Sequence, residues 1–297
     1  MGALISIGIS PAVLAVYPTA RVGVALVRGK VIDTKKLKSG PVNKFLSDYK
    51  QQVVKGLITS NVTNANYRDL PVCKSWDKVF STFGAAPDKR STIVNLLGKA
   101  STEADKVRGG AKSADLGRIS DIVDLYNAVS IETRTPMGTV RPSAVSGKIQ
   151  LRYGNPGESF IPLGKSDETI FVNAKDIVYA DDKSVLTYLW NCRDAKHSCV
   201  PQSTDASIDV LVFADQAEAG AGDVQSAINT LVSKISGIGW QVVQTAFLDA
   251  TTPDVSLSAT PASTPTAVVS SSSTATSAAA SSSQPDALAG GIQQLHI

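Results

Sequence analysis

Histidine, the side chain that most often moves protons near neutral pH, is scarce in this chain. His296 lies in the C-terminal tail, so His197 is the one imidazole that the body of the chain offers as a base or a metal ligand. A Ser-His-Asp triad on His197 is conceivable, but no Gly-x-Ser-x-Gly pattern presents a nucleophile. Cys192, His197 and Cys199 fall within eight positions, yet no CxxC pair is present and a zinc site would lack its fourth ligand. Glycine-rich phosphate-binding motifs are also absent, and we expect neither a metal nor a cofactor.

Two segments place polar side chains inside otherwise apolar sequence. In Ile119–Ser130, the polar residues Asp124, Asn127 and Ser130 recur at intervals of three and would line one face of a helix. The residues at 190–194, Trp-Asn-Cys-Arg-Asp, directly follow a predicted strand. Buried polar groups need hydrogen-bond partners, so these side chains either satisfy one another within the fold or bind a ligand. The pattern alone leaves both interpretations open.

Strand-like and helix-like patterns share the first 250 residues and predict an α+β fold around one core. Helical spacing predicts helices over Pro41–Leu57, over Val72–Phe83, from an N-cap at Ser91 onward, and over about Asp223–Ile235. Apolar β-branched runs and alternation predict strands at Arg21–Val27, Ile149–Tyr153, Glu168–Val172, Ile177–Ala180, Val185–Leu189 and Ile208–Phe213. Residues 100–117, with a Gly-Gly pair and mixed charges, are expected to form an exposed loop.

The C-terminal segment differs sharply in composition from the rest. Of the 47 residues in 251–297, 27 are Ser, Ala or Thr, which predicts a disordered tail. The segment has two acids and no Lys or Arg, so a chain charge of +3 becomes +5 for the body, with 29 basic and 24 acidic residues. This mild excess permits contact with a polyanion. No apolar stretch is long enough for a membrane span, and three cysteines fit a reducing cytosol, so we expect a cytoplasmic protein without a membrane partner.

Several motifs occur together and in order along the chain. They are the Ile119–Ser130 run, Pro136-Met-Gly138, Ile149–Arg152 with Pro156-Gly-Glu158, Phe160-Ile-Pro-Leu-Gly164, Ile177–Asp182, Trp190-Asn-x-Arg-Asp194 and the segment 204–212. With these motifs the chain resembles the B3/B4 domain, the tRNA-editing module of the phenylalanyl-tRNA synthetase beta subunit, in its freestanding single-domain type. The resemblance implies a three-layer α+β domain over 10–240, with a sheet-rich core flanked by helices, a loop insertion at 101–117 and the tail at 251–297.

The resemblance also implies a function. In the synthetase, the pocket of the B3/B4 domain hydrolyses tyrosine wrongly attached to the phenylalanine tRNA. This second site is needed because the aminoacylation site must accept phenylalanine and cannot use a polar partner to test for the tyrosine hydroxyl. The implied partner here is the aminoacylated 3′ end of a tRNA; no DNA partner is expected. The residues that would bind it are Asn127, Ser130, Gly138, Trp190, Asn191, Arg193 and Asp194. Without an aminoacylation domain, the chain is not itself a complete ligase.

Departures from the family pattern leave the catalytic residues unassigned. Gly138 stands where the synthetase domain has a histidine, and Phe213 falls near its strand-end glutamate. Arg141 and Ser143 stand where freestanding relatives carry acids. The sequence therefore supports either an aminoacyl-tRNA deacylase acting in trans or a non-catalytic module that binds RNA or an amino-acid-like ligand. A third interpretation, an adaptor that recruits a protein through its tail, has only the tail's composition in its favour.

Overall fold

The computed structural model describes residues 4–164 and 168–259 and confirms a mixed α+β fold. The helices are α1 (Pro11–Val16), α2 (Pro41–Thr59), α3 (Pro71–Thr82), α4 (Thr92–Arg108), α5 (Asp121–Thr133) and α6 (Val224–Lys234). The strands are β1 (Leu4–Ile9), β2 (Arg21–Gly29), β3 (Met137–Val140), β4 (Ile149–Tyr153), β5 (Ser159–Phe160), β6 (Ile170–Phe171), β7 (Ile177–Ala180), β8 (Val185–Tyr188), β9 (Arg193–Asp194), β10 (Ile208–Gln216), β11 (Gln241–Leu248) and β12 (Asp254–Ser258). No helix in these ranges is long and apolar enough to cross a membrane.

Two sheets form the centre of the domain. The larger has the strand order β12-β1-β4-β7-β8-β9, and the smaller has the order β11-β2-β10-β3. They face each other where the ring of Tyr179 on β7 lies 4.9 Å from the ring of Phe213 on β10. A third, two-stranded sheet, β5–β6, packs on β8, where the ring centroids of Phe160 and Tyr188 lie 5.5 Å apart.

Helices form the third layer, on the other side of the smaller sheet. α6 packs on β2 and β10, α5 packs on β3, and α2 and α4 pack on α5. Gly23 permits the close approach of α6 to β2, because a Cβ atom there would lie 2.7 Å from Cγ1 of Ile228. Adding even one methyl group at this contact would push helix and sheet apart.

The predicted loop at 100–117 is wrong for its first half, because α4 continues to Arg108. Ala100 and Ala104 extend the buried face of this helix, but their side chains are small and give a weak apolar signal. Glu103 is buried as well, where it accepts a hydrogen bond from the backbone N–H of Asp115 at 2.8 Å. Glu103 contributed to the prediction of an exposed loop, although its carboxylate is buried and hydrogen-bonded within the fold.

The prediction of a disordered tail from residue 251 is also wrong in its first part. Residues 254–258 form β12, which pairs antiparallel with β1, and Leu257 is buried. The domain also continues past residue 240 into β11, which pairs with β2. The remainder of the predicted tail, 260–297, lies outside the described residues.

A tight turn between β8 and β9 carries the most strained backbone near the centre of the domain. Leu189 and Trp190 both have positive φ, at 48° and 61°, a conformation that costs a non-glycine residue about 1–2 kcal/mol. The fully buried Trp190 indole lies edge-on to the rings of Tyr17 and Trp76, with centroids at 5.3 and 5.5 Å. Such aromatic contacts add about 0.5–1.5 kcal/mol each beyond burial, which offsets the strain.

Truncating the aromatic support should destabilise the whole domain. We expect Trp76→Ala to lower the free energy of unfolding by about 3–5 kcal/mol, since it leaves a cavity beside Trp190 and deletes the 2.6 Å hydrogen bond from Trp76 Nε1 to the Ala221 carbonyl. Denaturant unfolding measures the change. The matched control is Phe171→Ala, which removes an aromatic ring that is 65% exposed and should shift stability by no more than about 0.5 kcal/mol. Equal losses in the two variants would contradict the proposed support.

Candidate active site

A small cavity lies where the two sheets meet the first turn of α4. Its lining comes from α4, β3, β7, β8, the turn after β8, β9 and β10: Thr92, Met137, Gly138, Thr139, Val140, Tyr179, Thr187, Trp190, Asn191, Asp194, Phe213 and Asp215. The free volume is about 20 Å³, and roughly 10–15 Å³ is enough for one water molecule. Thr92, Gly138 and Asp194 keep partial contact with solvent and form the mouth.

Asp215, near the end of β10, is the buried anchor of this cavity. It is 2% exposed and accepts hydrogen bonds from the Tyr179 hydroxyl at 2.6 Å and from Asn191 Nδ2 at 3.2 Å. Burial raises the pKa of Asp215 to about 6, and these two bonds limit the rise. The Trp190 Nε1–H also faces this carboxylate and lowers its pKa, but it does not reach hydrogen-bonding geometry and keeps its donor unpartnered.

Asp194, on β9, is the carboxylate that faces the mouth. Among the described residues, nothing donates a hydrogen bond to its side chain, and a Cβ atom on Gly138 would lie 3.7 Å from its Oδ1. Although Asp194 as a residue is only half-buried, loss of hydration raises its pKa to about 7, and the nearby charge of Asp215 adds to the rise. The site therefore holds a carboxyl group that can gain or lose a proton at neutral pH.

Three buried polar atoms in the lining lack partners among the described residues: Asn191 Oδ1, Thr92 Oγ1 and Trp190 Nε1. Asn191 is 7% exposed. The strained turn fixes it, because Trp190 N donates to the Ile177 carbonyl at 2.5 Å and the Trp190 carbonyl accepts from Thr187 Oγ1 at 2.7 Å. The residues that carry these atoms line a space the size of one water molecule, and buried polar atoms without partners are uncommon in a packed core.

The structure brings together four of the predicted ligand residues and separates the other three from them. Gly138, Trp190, Asn191 and Asp194 line the cavity. Arg193 precedes Asp194 on β9, and because side chains alternate along a strand it points to the opposite face.

The two remaining predicted residues lie on α5. Ser130 is fully buried and donates to the Tyr126 carbonyl within its own helix at 2.8 Å. Asn127 lines a different, mainly apolar cavity of about 130 Å³ under the loop at 116–119. In that region Asp124 binds Lys50 Nζ at 2.9 Å, so the polar face of the helix is used mainly for structure.

Sequence reasoning missed Asp215, Thr92 and Tyr179. A signal for Asp215 existed: it is a charged residue near the end of the apolar run Val210–Ala214, two positions after Phe213 and hence on the same face of the strand. Thr92 and Tyr179 carried no such signal, because a threonine in a first helical turn and a tyrosine in a strand are both ordinary.

The cysteine and histidine cluster is not arranged as a metal site. His197 Nε2 lies 3.0 Å from Ser184 Oγ, and Cys199 Sγ donates to the Lys196 carbonyl. Within the described ranges, no three His, Cys, Asp or Glu side chains converge as metal ligands. The three cysteines are free thiols.

Comparison with known proteins shows a similarity over part of the chain. Residues 98–230 match the family model of the B3/4 domain. The phenylalanine–tRNA ligase beta subunit of Chromobacterium violaceum is 29% identical over 129 residues, which is 43% of this chain and 16% of that subunit. This chain therefore corresponds to a small part of that relative.

A solved structure, an N-terminal fragment of the phenylalanyl-tRNA synthetase beta subunit from Pyrococcus horikoshii, aligns at 12% identity over 41% of each chain with a TM-score of 0.33. The similarity to the B3/4 domain rests on the family model and the Chromobacterium violaceum subunit. It confirms the resemblance predicted from the sequence motifs for residues 98–230.

The raised pKa of Asp194 makes a prediction about stability. Asp194 binds its proton more tightly in the folded protein than in the unfolded chain, so unfolding releases protons between about pH 4 and pH 7. Its contribution to the free energy of unfolding therefore falls as the pH rises through this window. We expect Asp194→Asn to be more stable than the native protein by about 1–3 kcal/mol at pH 8 and by little at pH 4, measured by denaturant unfolding at both pH values. The exposed control Asp205→Asn should show no such difference, and an equal response of both variants would contradict the buried, protonatable Asp194.

Proposed function

Residues 98–230 match the B3/4 domain, and from this similarity we propose that the chain binds the aminoacylated 3′ end of a tRNA in the cytoplasm and hydrolyses the ester in trans. The observation that carries the proposal is the convergence of Asn191, Asp194 and Thr92 on one small cavity with a solvent-facing mouth. The free cysteines fit the proposed compartment.

Asp194 is the general base in this proposal. A base works best when its pKa lies near the operating pH, and the pKa of Asp194 is raised to about 7. In the reaction, Asp194 takes a proton from a water molecule while the water oxygen forms a bond to the ester carbon. The bond from that carbon to the ribose oxygen then breaks, and the proton returns to the ribose oxygen, which leaves a free amino acid and an uncharged tRNA.

Asp215 acts through other residues rather than on the substrate. Its carboxylate accepts a hydrogen bond from Asn191 Nδ2 and so fixes the Asn191 amide in the cavity lining, where Asn191 Oδ1 has no partner among the described residues. Tyr179 in turn fixes Asp215 from the opposite sheet. A positioned polar group of this kind can orient the water or the amino group of the substrate without having to reorganise during the reaction.

A lysine-rich surface offers a place for the tRNA backbone. We define the lysine surface as Lys35, Lys36, Lys38, Lys44, Lys99, Lys112 and Arg118, all exposed. Arg118 ties its parts together, since its guanidinium donates to the Leu37 carbonyl at 3.1 Å. Lys99 Nζ donates to the Leu116 carbonyl at 2.8 Å. Positive charge that tracks phosphates supplies most of the sequence-independent affinity for RNA.

Hydrolysis should depend on the cavity residues. We expect Asp194→Asn to lower the rate of deacylation of a mischarged tRNA roughly 100- to 10,000-fold, measured as labelled amino acid released across a panel that includes tyrosine on the phenylalanine tRNA. The part of the rate that Asp194 supplies should rise tenfold per pH unit below about pH 7 and level off above it, following the pKa of this base.

Two matched variants control this assay. Asp205→Asn makes the same chemical change at an exposed position, and Asn229→Ala is the exposed counterpart of Asn191→Ala. Both controls should retain the native rate, whereas Asn191→Ala should lose it. No release from any tRNA in the panel, at protein concentrations that retain the tRNA, would leave RNA binding without hydrolysis.

The lysine surface should carry the salt dependence of RNA binding. We expect the triple variant Lys35→Ala, Lys36→Ala, Lys38→Ala to bind all tRNAs more weakly and to reduce the slope of log K against log salt by about 2, at about 0.7–0.9 per lost phosphate contact. The double variant Lys74→Ala, Lys78→Ala on α3 removes exposed lysines elsewhere and should keep the native slope. An unchanged slope in the triple variant would mean that RNA binds at another surface.

The second candidate is a non-catalytic module that binds RNA or an amino-acid-like ligand. It is favoured by the absence of an imidazole from the cavity lining, where Gly138 stands in the position of the synthetase histidine. Thermal stabilisation by a free amino acid, without turnover of any aminoacyl-tRNA, would support this candidate instead.

A further inference from the structure

Aromatic rings form part of the cavity wall. Phe213 is 4% exposed and its ring packs against that of Tyr179 at 4.9 Å, while the fully buried Trp190 forms the adjoining wall. Phe213 pairs with Gly138 and Val24 on its two neighbouring strands, so its backbone cannot shift independently. Protein interiors of this kind relax only partly, and the cavity should not enlarge for a bulky guest.

The remaining space limits the size of an acyl side chain. A free volume of about 20 Å³ holds roughly one water-sized group, far less than a phenyl or phenol ring requires. The acyl carbon of an ester placed beside Asp194 at the mouth could direct hydrogen, a methyl group or a hydroxymethyl group inward. A branched or aromatic side chain exceeds this volume, and Phe213 is the bulkiest strand residue in the lining besides Tyr179.

The polarity of the lining distinguishes among these small groups. Asn191 Oδ1, Thr92 Oγ1 and Trp190 Nε1 have no partners within the described structure, and a methyl group would bury them without compensation. A hydroxyl group can donate to Asn191 Oδ1 and accept from Thr92 Oγ1. Leaving a buried polar atom unpaired costs about 1–3 kcal/mol, so the chemistry of the cavity favours a hydroxyl over a methyl group.

From this geometry, and resting on the proposed function, we infer that the site selects small aminoacyl groups, hydroxymethyl first, and that Phe213 is the residue that excludes larger ones. The substrate class is therefore an aminoacyl ester with a side chain of one or two non-hydrogen atoms. An aromatic aminoacyl group is not a substrate of the native protein.

The experiment compares seryl-, alanyl-, leucyl- and tyrosyl-tRNA as substrates of the native protein and of Phe213→Ala. For the native protein we expect kcat/KM to fall about tenfold from seryl to alanyl, in line with one lost hydrogen-bond partner, and at least 100-fold from seryl to leucyl or tyrosyl. In Phe213→Ala, the preference for seryl over leucyl should shrink at least tenfold. Phe247→Ala, which removes a half-buried ring outside the cavity lining, should keep the native preference.

Two additions keep the inference testable if a variant unfolds or no tRNA is hydrolysed. Phe213→Val removes less volume and should shift the preference in the same direction. Thermal shift with serinamide, alaninamide, leucinamide and tyrosinamide reports binding without chemistry, and we expect stabilisation of the native protein by serinamide but not by leucinamide or tyrosinamide.

The outcomes separate the two proposals. Native hydrolysis of tyrosyl-tRNA as fast as seryl-tRNA would overturn the size limit and leave the deacylase intact. Serinamide binding with no hydrolysis of any tRNA would overturn the deacylase and support the size limit. Neither hydrolysis nor stabilisation by any amide would overturn both.

Discussion

The edge-on stacking of Trp190 between Tyr17 and Trp76 is the interaction on which the site depends. A turn with two consecutive non-glycine residues in the left-handed region is unfavourable by itself, and it persists because the buried indole holds it. The same turn places Asn191 in the cavity lining and precedes the short strand β9 that carries Asp194. Strain at the turn and order at the cavity are therefore two consequences of one packing arrangement.

The cavity also shows a conflict between stability and proposed function. Burial raises the pKa of both Asp194 and Asp215, the charge of Asp215 raises the pKa of Asp194 further, and Asp194 has no hydrogen bond from a described residue to compensate. A packed amide or apolar side chain would stabilise the fold better. The retention of Asp194 at the mouth is understandable if it serves a ligand, since groups with perturbed pKa values concentrate at functional sites.

The sequence predicted more of the fold's centre than of its edges. α2, α3, α6 and the strands β2, β4, β7, β8 and β10 follow from periodicity, because their apolar residues are large and regularly spaced. β12 lies in Ser- and Thr-rich sequence and is a strand because it pairs with β1, about 250 residues away. Non-local pairing of this kind leaves little trace in local composition.

Contacts between distant segments also limited the prediction of the candidate site. The segment at 190–194 could be recognised because polar residues follow a strand directly. The triplet spacing on α5 brought Asp124 and Asn127 to one cavity without Ser130, because spacing does not reveal what a helix face contacts. The face packs against α2 and the loop before α5, where Asp124 meets Lys50, while Ser130 bonds within its helix. The role of Asp215 could not be predicted from the sequence, because its hydrogen-bond donor Tyr179 lies on the facing sheet.

Helix α4 joins the two parts of the proposed function. Thr92 lines the cavity from its first turn, and Leu96 and Lys99 line the neighbouring 130 Å³ cavity beside the lysine surface. Residues at i, i+4 and i+7 share one helix face, and seven residues span about 10 Å at 1.5 Å each. One face of α4 thus extends from Thr92, beside the proposed ester site, to Lys99, which could bind the phosphate backbone. Because the helix fixes this spacing, a nucleic acid held at the lysine surface would present its terminus to Asp194 at a distance set by the fold rather than by loop motion.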